Sequence, residues 1–470
     1  MKHSHKINQE NFKMRQLLVI GAGKSTSVLI AYLLEKSEKE NLFITIGDLD
    51  EALARKLCKD HPRCKAIHLD VFNKESRETA IKNADLVISM LPARFHIEAA
   101  KDCIKFKKSL VTASYVSKEM KALDQEVKDN GLVFMNEIGV DPGIDHMSAM
   151  QVIDRIRDKG GKMLLFESFT GGLVAPESDT NLWNYKFTWN PRNVVLAGQG
   201  GAAEFIQEGK YKYIPYHRLF RRTEFLHVEN YGKFEAYANR NSLDYQSIYG
   251  LDDVLTLYRG TIRRVGYSRA WNMFVQLGMT DDTYTLRDSE NMSYRDFVNS
   301  FLPYSPTNTV ELKMRHNLKI DQDDIMWDKL IELDLFNDKK KIGIKDATPA
   351  QALQKILMDK WSLDEEDKDM IVMYHKFGYE LDGKKKQIDS TMVLIGEDQT
   401  RTAMAKTVGL PVAIAALAIL NKKITTPGVQ IPIKKEVYQP ILKELEAHGI
   451  VFKETETEYL GYNPYGEVGN

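Results

Sequence analysis

Cysteine is scarce: the 470-residue chain has three, Cys58, Cys64 and Cys103, an odd set with no paired CxxC spacing. This excludes a small disulfide-stapled module, argues against a zinc site, and makes reduced thiols in a reducing compartment the expected state. An excess of either charge is also missing, since 65 Lys and Arg stand against 66 Asp and Glu. No global field therefore recruits nucleic acid or an anionic membrane, and an anionic ligand has to be caught by local groups. Long apolar runs are absent too. The longest, Val408 to Leu420, has 13 residues and contains Gly409 and Pro411, short of the roughly 20 that a membrane-spanning helix needs, so it reads as a buried core helix. The opening MKHSHKINQENFK offers no apolar stretch for a secretory signal and reads as a loose tail over 1–13, which points to the cytoplasm. No internal repeat or low-complexity tract is present.

What is there is the composition of a folded globular protein, 43% hydrophobic and 28% charged, long enough for two or three domains. From Gln16 onward short aliphatic runs alternate with helical stretches: LLVI (Leu17 to Ile20), LFITI (Leu42 to Ile46), AIHL (Ala66 to Leu69), LVISM (Leu86 to Met90), SLVT (Ser109 to Thr112) and LVFM (Leu132 to Met135). Runs without strict polar alternation suit strands covered on both faces, and amphipathic segments such as Ile97 to Lys108 supply the covers. The expected fold is α/β, a doubly wound parallel sheet of the Rossmann type.

The first run ends in Gly21-Ala22-Gly23-Lys24-Ser25-Thr26 and enters the helical stretch Ser27 to Glu35. Gly21 suits a tight turn and Gly23 a close backbone approach to a pyrophosphate, whose charge meets the amides of the helix start. The third glycine of the dinucleotide fingerprint is replaced by Thr26. A P-loop is excluded because Leu18 stands where its first glycine belongs. Asp48, 22 residues past Thr26 at the end of the second run, is placed to accept ribose hydroxyls of NAD and to repel the phosphate of NADP; as a bare structural residue it would instead cap the helix that follows.

Three later segments are dense in chemistry: TASYVS (Thr112 to Ser117), NEIGVDPGIDHM (Asn136 to Met147) and FTGGLVAPESDTNLWNYKFTW (Phe169 to Trp189). In open parallel sheets ligands sit beyond the carboxyl ends of the strands, so the first two should converge on the crevice that holds a nicotinamide. Asp141-Pro142-Gly143 also reads as a turn with Asp141 as helix cap and Pro142 in the first turn.

Together with SMLPARFH (Ser89 to His96), VTASY (Val111 to Tyr115), GGLVAPE (Gly171 to Glu177), YKFTW (Tyr185 to Trp189), ANRNS (Ala238 to Ser242), YRGTIRRVGY (Tyr258 to Tyr267), DMIVMYHKFG (Asp369 to Gly378) and TAMAKTVGLP (Thr402 to Pro411), these segments resemble saccharopine dehydrogenase of the L-glutamate-forming kind, in order along about Gln16 to Ala447. The resemblance implies NAD(P)-dependent, reversible oxidation of saccharopine, followed by imine hydrolysis to L-glutamate and 2-aminoadipate 6-semialdehyde, in lysine metabolism. It implies Ser114, Tyr115 and Asp141 beside the nicotinamide, with Asp141 and Tyr115 catalytic. Arg240, Thr261, Ile262 and Arg263 would hold the far carboxylates, a task for which planar guanidinium groups are suited. The implied cofactor contacts are Gly21, Ala22, Gly23, Lys24 and Ser25, then Asp48, Asp70, Val71, Leu91, Ala113 and Ser114, with Val140, Asp141, Pro142, Gly143, Ile144, Asp145, His146 and Met147 passing beneath the ring.

Where NADP-using members carry arginine after the second strand, this chain has Gly47-Asp48-Leu49-Asp50, which favours NAD over NADP. Two further departures are Thr170 in place of a frequent cysteine and Asn241 in place of an aspartate. The general base is Asp141, His146 or Tyr115, with Asp141 preferred as an acid near the amine; for His146 the competing account is a buried histidine held by hydrogen bonds. The implied organisation is a Rossmann domain over 14–140 with a returning helix near 402–421, a central mixed-sheet substrate domain over 141–280 and 383–470, and a helical accessory domain over 281–382. Lys339 to Lys341 and Lys384 to Lys386 read as solvated loops. No metal, nucleic-acid or membrane partner is expected, a small-molecule substrate is, and a homodimer is allowed. Two rival readings stay open: a relative that reduces another imine, such as a carboxynorspermidine-forming dehydrogenase, and a redox sensor that binds dinucleotide without turnover.

Overall fold

The structure, a computed structural model, describes residues 14–462 and divides into two compact units. The first holds the residues up to Met147 together with Ala405–Ala447, the second Ser148–Met404 and the residues from His448. The expected tail over 1–13 lies outside the described residues.

In the first unit the six aliphatic runs become β1 (Arg15–Ile20), β2 (Leu42–Asp48), β3 (Cys64–His68), β4 (Leu86–Ser89), β5 (Ser109–Val111) and β6 (Val133–Met135). All pair in parallel, in the order β6-β5-β4-β1-β2-β3. The sequence reverses its direction of travel between β1 and β4, the switch point at whose carboxyl edge a ligand crevice forms. Apolar residues of the strands and of the helix His96–Lys105, among them Leu18, Ile20, Val87, Phe134, Ala99 and Cys103, make one buried cluster.

Two features of this unit depart from expectation. A seventh strand, Gly428–Gln430, pairs in parallel with β6, so 421–447 belongs here and not with the central domain. And Cys58 and Cys64 form a disulfide, their Cα atoms 5.5 Å apart. Lys59 and Asp60, both in the left-handed region, reverse the chain after the helix Glu51–Cys58, which returns β3 beside it. The thiol argument for a reducing compartment therefore falls; Cys103 alone is a free, buried thiol.

The returning helix is Ala403–Leu420. By length and composition it could cross a membrane, yet 83% of it is buried within the protein, as a core helix is. Its Gly409 meets the helix Thr26–Lys36 so closely that a Cβ there would stand 2.8 Å from the Leu29 backbone nitrogen and 3.2 Å from the Ser25 carbonyl oxygen. The returning helix therefore packs backbone-close on the first helix.

The second unit is built on β7 (Lys162–Val174), β8 (Ala203–Gln207), β9 (Lys210–Ile214), β10 (Thr223–Val228), β11 (Gly232–Ala238), β12 (Thr256–Arg264), β13 (Asp369–Leu381) and β14 (Lys384–Ile395), with a last strand Lys453–Glu458 at the edge. The sheet runs β10-β11-β12-β7-β13-β14-Lys453–Glu458, with β8 on β12 and β9 on β8. It is mixed: β12 and β7 are parallel and the other pairs antiparallel.

The helices Tyr294–Asn299, Val310–Leu318, Ile325–Glu332 and Pro349–Trp361 share one hydrophobic cluster with this sheet. Trp183, Trp271 and Trp361 sit at its centre, Trp183 stacked on Phe274 with ring centres 5.8 Å apart. The separate accessory domain over 281–382 is therefore corrected: its helices have no core of their own, and 369–381 is β13, paired with β7. Lys384 to Lys386 likewise begin β14 instead of a loop, with Lys386 ion-paired to Glu456 at 2.7 Å.

Because the atom that a new methyl at 409 would meet is backbone, Gly409→Ala should lower the thermal unfolding midpoint, at a cost of about 1–3 kcal/mol. An unchanged midpoint would show that the first helix gives way freely.

Candidate active site

The turn after β1 is shaped as a phosphate cradle. Gly21 has φ +105°, and a Cβ on it would stand 3.0 Å from the Met90 carbonyl oxygen at the end of β4, so only glycine fits both the conformation and the approach. A Cβ on Gly23 would meet nothing within 4 Å, leaving open space in front of the backbone. Ser25 caps the helix Thr26–Lys36 without a side-chain hydrogen bond, and the first turn has no acid, so the positive end of the helix carries no side-chain charge that would repel an anion. Thr26 is buried, with its hydroxyl donating to the Gly21 carbonyl at 3.2 Å. These features fit a dinucleotide pyrophosphate.

Asp48 ends β2. One carboxylate oxygen accepts the Ala22 amide at 2.6 Å and the other the Asp50 amide at 2.9 Å. It does not cap the following helix, since Asp50 does so through the Ala52 amide. Asp70 accepts the Phe72 amide, while the Val71 carbonyl takes a guanidinium N–H of Arg77, which is buried and paired with Asp102 at 2.6 Å. Lys24 is exposed and Leu91 half-buried.

Beyond β5 and β6 the residues implied to act in catalysis come together. The Tyr115 hydroxyl donates to Asp141 at 2.9 Å. Glu137 organises this loop from three directions: its amide donates to the Ser114 carbonyl at 3.1 Å, Oε1 accepts the Val116 amide at 2.9 Å, and Oε2 lies 2.9 Å from His146 Nε2. His96 lies 2.7 Å from the Ser114 hydroxyl and 2.8 Å from that of Ser89. Neither His96 nor Glu137 was singled out from the sequence, although both lie inside SMLPARFH and NEIGVDPGIDH.

One pair of alternatives is decided and two expectations change. His146 has no exposed surface, so as a general base it is closed off from a substrate, and the buried, hydrogen-bonded account holds. The helix starts at Ile144, so Asp141 is not its cap and Pro142 precedes its first turn. From Val140 to Met147 only Asp141 escapes full burial; Ile144, Asp145, His146 and Met147 support the site from inside.

In the second unit β12 lies beside β7, with Thr261 opposite Thr170 and a Cβ on Gly171 only 2.6 Å from the Ile262 carbonyl oxygen. Arg240 follows β11 in a left-handed conformation, φ +36°, exposed and without a side-chain hydrogen bond or ion pair among the described residues. Asn241 caps its own turn, accepting the Leu243 amide. Arg263 is enclosed by aromatic rings. It is buried, its guanidinium over the rings of Tyr185 at 5.0 Å, Tyr267 at 5.2 Å and Tyr237 at 5.8 Å, and it donates to the Ile262 carbonyl. YKFTW is equally structural at its start, Tyr185 and Phe187 filling the core while Lys186 pairs with Asp367.

The chain matches two protein families, the Saccharopine dehydrogenase NADP binding domain over residues 17–135 and the Saccharopine dehydrogenase C-terminal domain over 139–450. It is 32% identical to the saccharopine dehydrogenase [NADP(+), L-glutamate-forming] of Saccharomyces cerevisiae over 447 residues, 94% of this chain and 99% of that one. The chain belongs to the saccharopine dehydrogenase family. The solved apo structure of saccharopine dehydrogenase (L-Glu forming) from Saccharomyces cerevisiae superposes with a TM-score of 0.85 at 31% identity, covering 94% of this chain and 100% of that one. The mitochondrial alpha-aminoadipic semialdehyde synthase of Rattus norvegicus is 35% identical over 455 residues. The chain spans about half the length of that relative, 48%. Homospermidine synthase from Legionella pneumophila, at 10% identity and TM-score 0.54, shares the fold alone. The resemblance read from the motifs is borne out.

Burial pushes the His96 imidazole down from 6.5 to about 4. The unfolded chain therefore takes up a proton between these values that the folded chain refuses. This contribution to stability is complete above pH 6.5 and is lost as pH falls toward 4. His96→Asn should flatten that part of the stability profile, measured as the denaturant midpoint against pH; a profile of unchanged slope would remove His96 as a source of it.

Proposed function

We propose that the chain catalyses the reversible oxidation of saccharopine, with NAD as hydride acceptor, to L-glutamate and 2-aminoadipate 6-semialdehyde. One observation carries this reading: the match to an L-glutamate-forming enzyme runs over 94% of this chain and 99% of the relative, and so includes the phosphate cradle, the Tyr115–Asp141 pair and the Arg240–Thr261 region.

The reaction begins at a secondary amine that must lose its proton before the adjacent carbon can give up hydride. The Asp141 carboxylate, already an acceptor for the Tyr115 hydroxyl, is the group suited to take that proton, and Tyr115 steadies the charge on the carboxylate as it changes. A bound nicotinamide supplies the hydride acceptor. The turn at Gly21 and Gly23 and the start of the first helix would hold its pyrophosphate, and Asp48 would meet the ribose hydroxyls. Loss of hydride from the lysine-derived ε-carbon leaves an imine, which water adds to. Collapse of the adduct returns the nitrogen with glutamate and leaves the semialdehyde. Water is consumed, and one proton is released per hydride transferred.

Arg240 is assigned to a substrate carboxylate, with Thr261 and the Ile262 backbone beside it. Arg263, on β12 itself, is enclosed by tyrosine rings. For the cofactor, two acids at the end of β2 and just beyond it, Asp48 and Asp50, favour NAD, whereas the fungal relatives are named for NADP(+). Asp48 serves both the loop and this choice.

The test follows nicotinamide absorbance with purified protein, saccharopine and each dinucleotide in parallel. Turnover is expected with saccharopine and a lower KM for NAD. No turnover with saccharopine, or turnover with a polyamine imine instead, would reject the reading, and a lower KM for NADP would reject the cofactor assignment. Arg240→Ala should weaken substrate binding by about 2–4 kcal/mol, seen as a raised KM for saccharopine, while Arg263→Ala should lower thermal stability. Tyr115→Phe should lower kcat by about 10²-fold and leave the dinucleotide KM in place.

A further inference from the structure

His96 takes no part in the steps above, yet it joins the carboxyl ends of two neighbouring strands, β4 and β5. It opens the helix His96–Lys105. Its Nδ1 is 2.8 Å from Oγ of Ser89, the last residue of β4, and its Nε2 is 2.7 Å from Oγ of Ser114, just past β5. Thr112 adds its Oγ1 at 3.2 Å from Nε2 and accepts the Ser114 amide at 3.4 Å. The Ser114 backbone is held separately, through its carbonyl, by the Glu137 amide. Both the peptide and the hydroxyl of Ser114 are thus fixed.

The chain of hydroxyls is closed at its inner end. Ser89 is 0% exposed, Thr112 1% and His96 4%, while Ser114 is half-buried. A proton entering at Ser114 would pass through the ring to Ser89 and stop there, so the arrangement does not serve proton export. A neutral imidazole has one donor and one acceptor nitrogen. With Ser89 satisfying one, the other sets whether Ser114 presents its hydrogen or its lone pairs to what lies outside.

We propose that His96 is a positioning residue for the hydride-transfer step, holding the Ser114 hydroxyl in one orientation toward the reacting amine, and is not an acid–base group. The inference rests on the reading that Ser114 faces substrate. Its neutral state fits this role, since burial keeps the ring uncharged above about pH 4.

The test is a double-mutant cycle on saccharopine oxidation with His96→Ala, Ser114→Ala and the pair. Each single change should lower kcat at least tenfold, and the pair should be no slower than the slower single, as for residues that act as a unit. His96→Gln, which returns an amide near the Nε2 position, should recover part of the loss and keeps the test open if the alanine variant does not fold. The pH–rate profile of His96→Gln should retain the apparent pKa values of the unaltered enzyme. Losses that multiply in the double variant, or loss of one limb of the profile, would overturn the proposal. A readout independent of turnover is the side-chain NMR signal of His96, which should change in Ser114→Ala. An unaltered ring signal overturns the positioning role, whereas absent turnover with a coupled ring signal overturns only the functional reading.

Discussion

The carboxylate of Asp48 ties together two stretches of backbone on which the first unit's chemistry depends. By accepting the Ala22 amide it fixes the end of β2 to the turn after β1, and by accepting the Asp50 amide it sets where the next helix begins. The same turn is closed from the other side by Gly21, pressed against the Met90 carbonyl. A loop held by a charge-assisted bond on one flank and by a steric limit on the other keeps its amides aimed without reorganisation when a ligand arrives. A neutral side chain at 48 would leave the loop shape less determined.

The residues expected to touch substrate are supported by buried polar groups and not by apolar packing alone. Glu137 gathers the Ser114 peptide, the Val116 amide and His146 around one carboxylate. Ser89, Thr112 and His96 form a second such set behind the Ser114 hydroxyl. Polar groups out of contact with water hold fixed geometries because an unmade hydrogen bond there is expensive. That expense is what lets half-exposed groups such as Ser114 and Asp141 keep defined positions.

The parallel sheet was legible because strands covered on both faces need continuous aliphatic runs, and all six runs from Leu17 to Met135 became strands. Gly428–Gln430 was not, since three residues carry no period and the strand exists through its pairing with β6. The run MIVMY within Asp369–Leu381 lay among charged helical stretches, and a short apolar run in such surroundings does not distinguish strand from buried helix. At the site, Gly21, Gly23 and Asp48 were readable from spacing, and Tyr115 with Asp141 from resemblance. The contact of His96 with Ser114 was not, because it depends on β4 and β5 being neighbours. The Cys58–Cys64 bond depends likewise on a left-handed turn that the spacing alone does not announce.

The contact between Gly409 and Leu29 has a consequence for how the protein is made. The helix that closes the dinucleotide unit leaves the ribosome only after the whole of 148–404, so the first unit spends most of translation with one flank of its opening helix bare. A chain released early, at any point before that helix emerges, would present this flank as an apolar surface for chaperones and proteases to find.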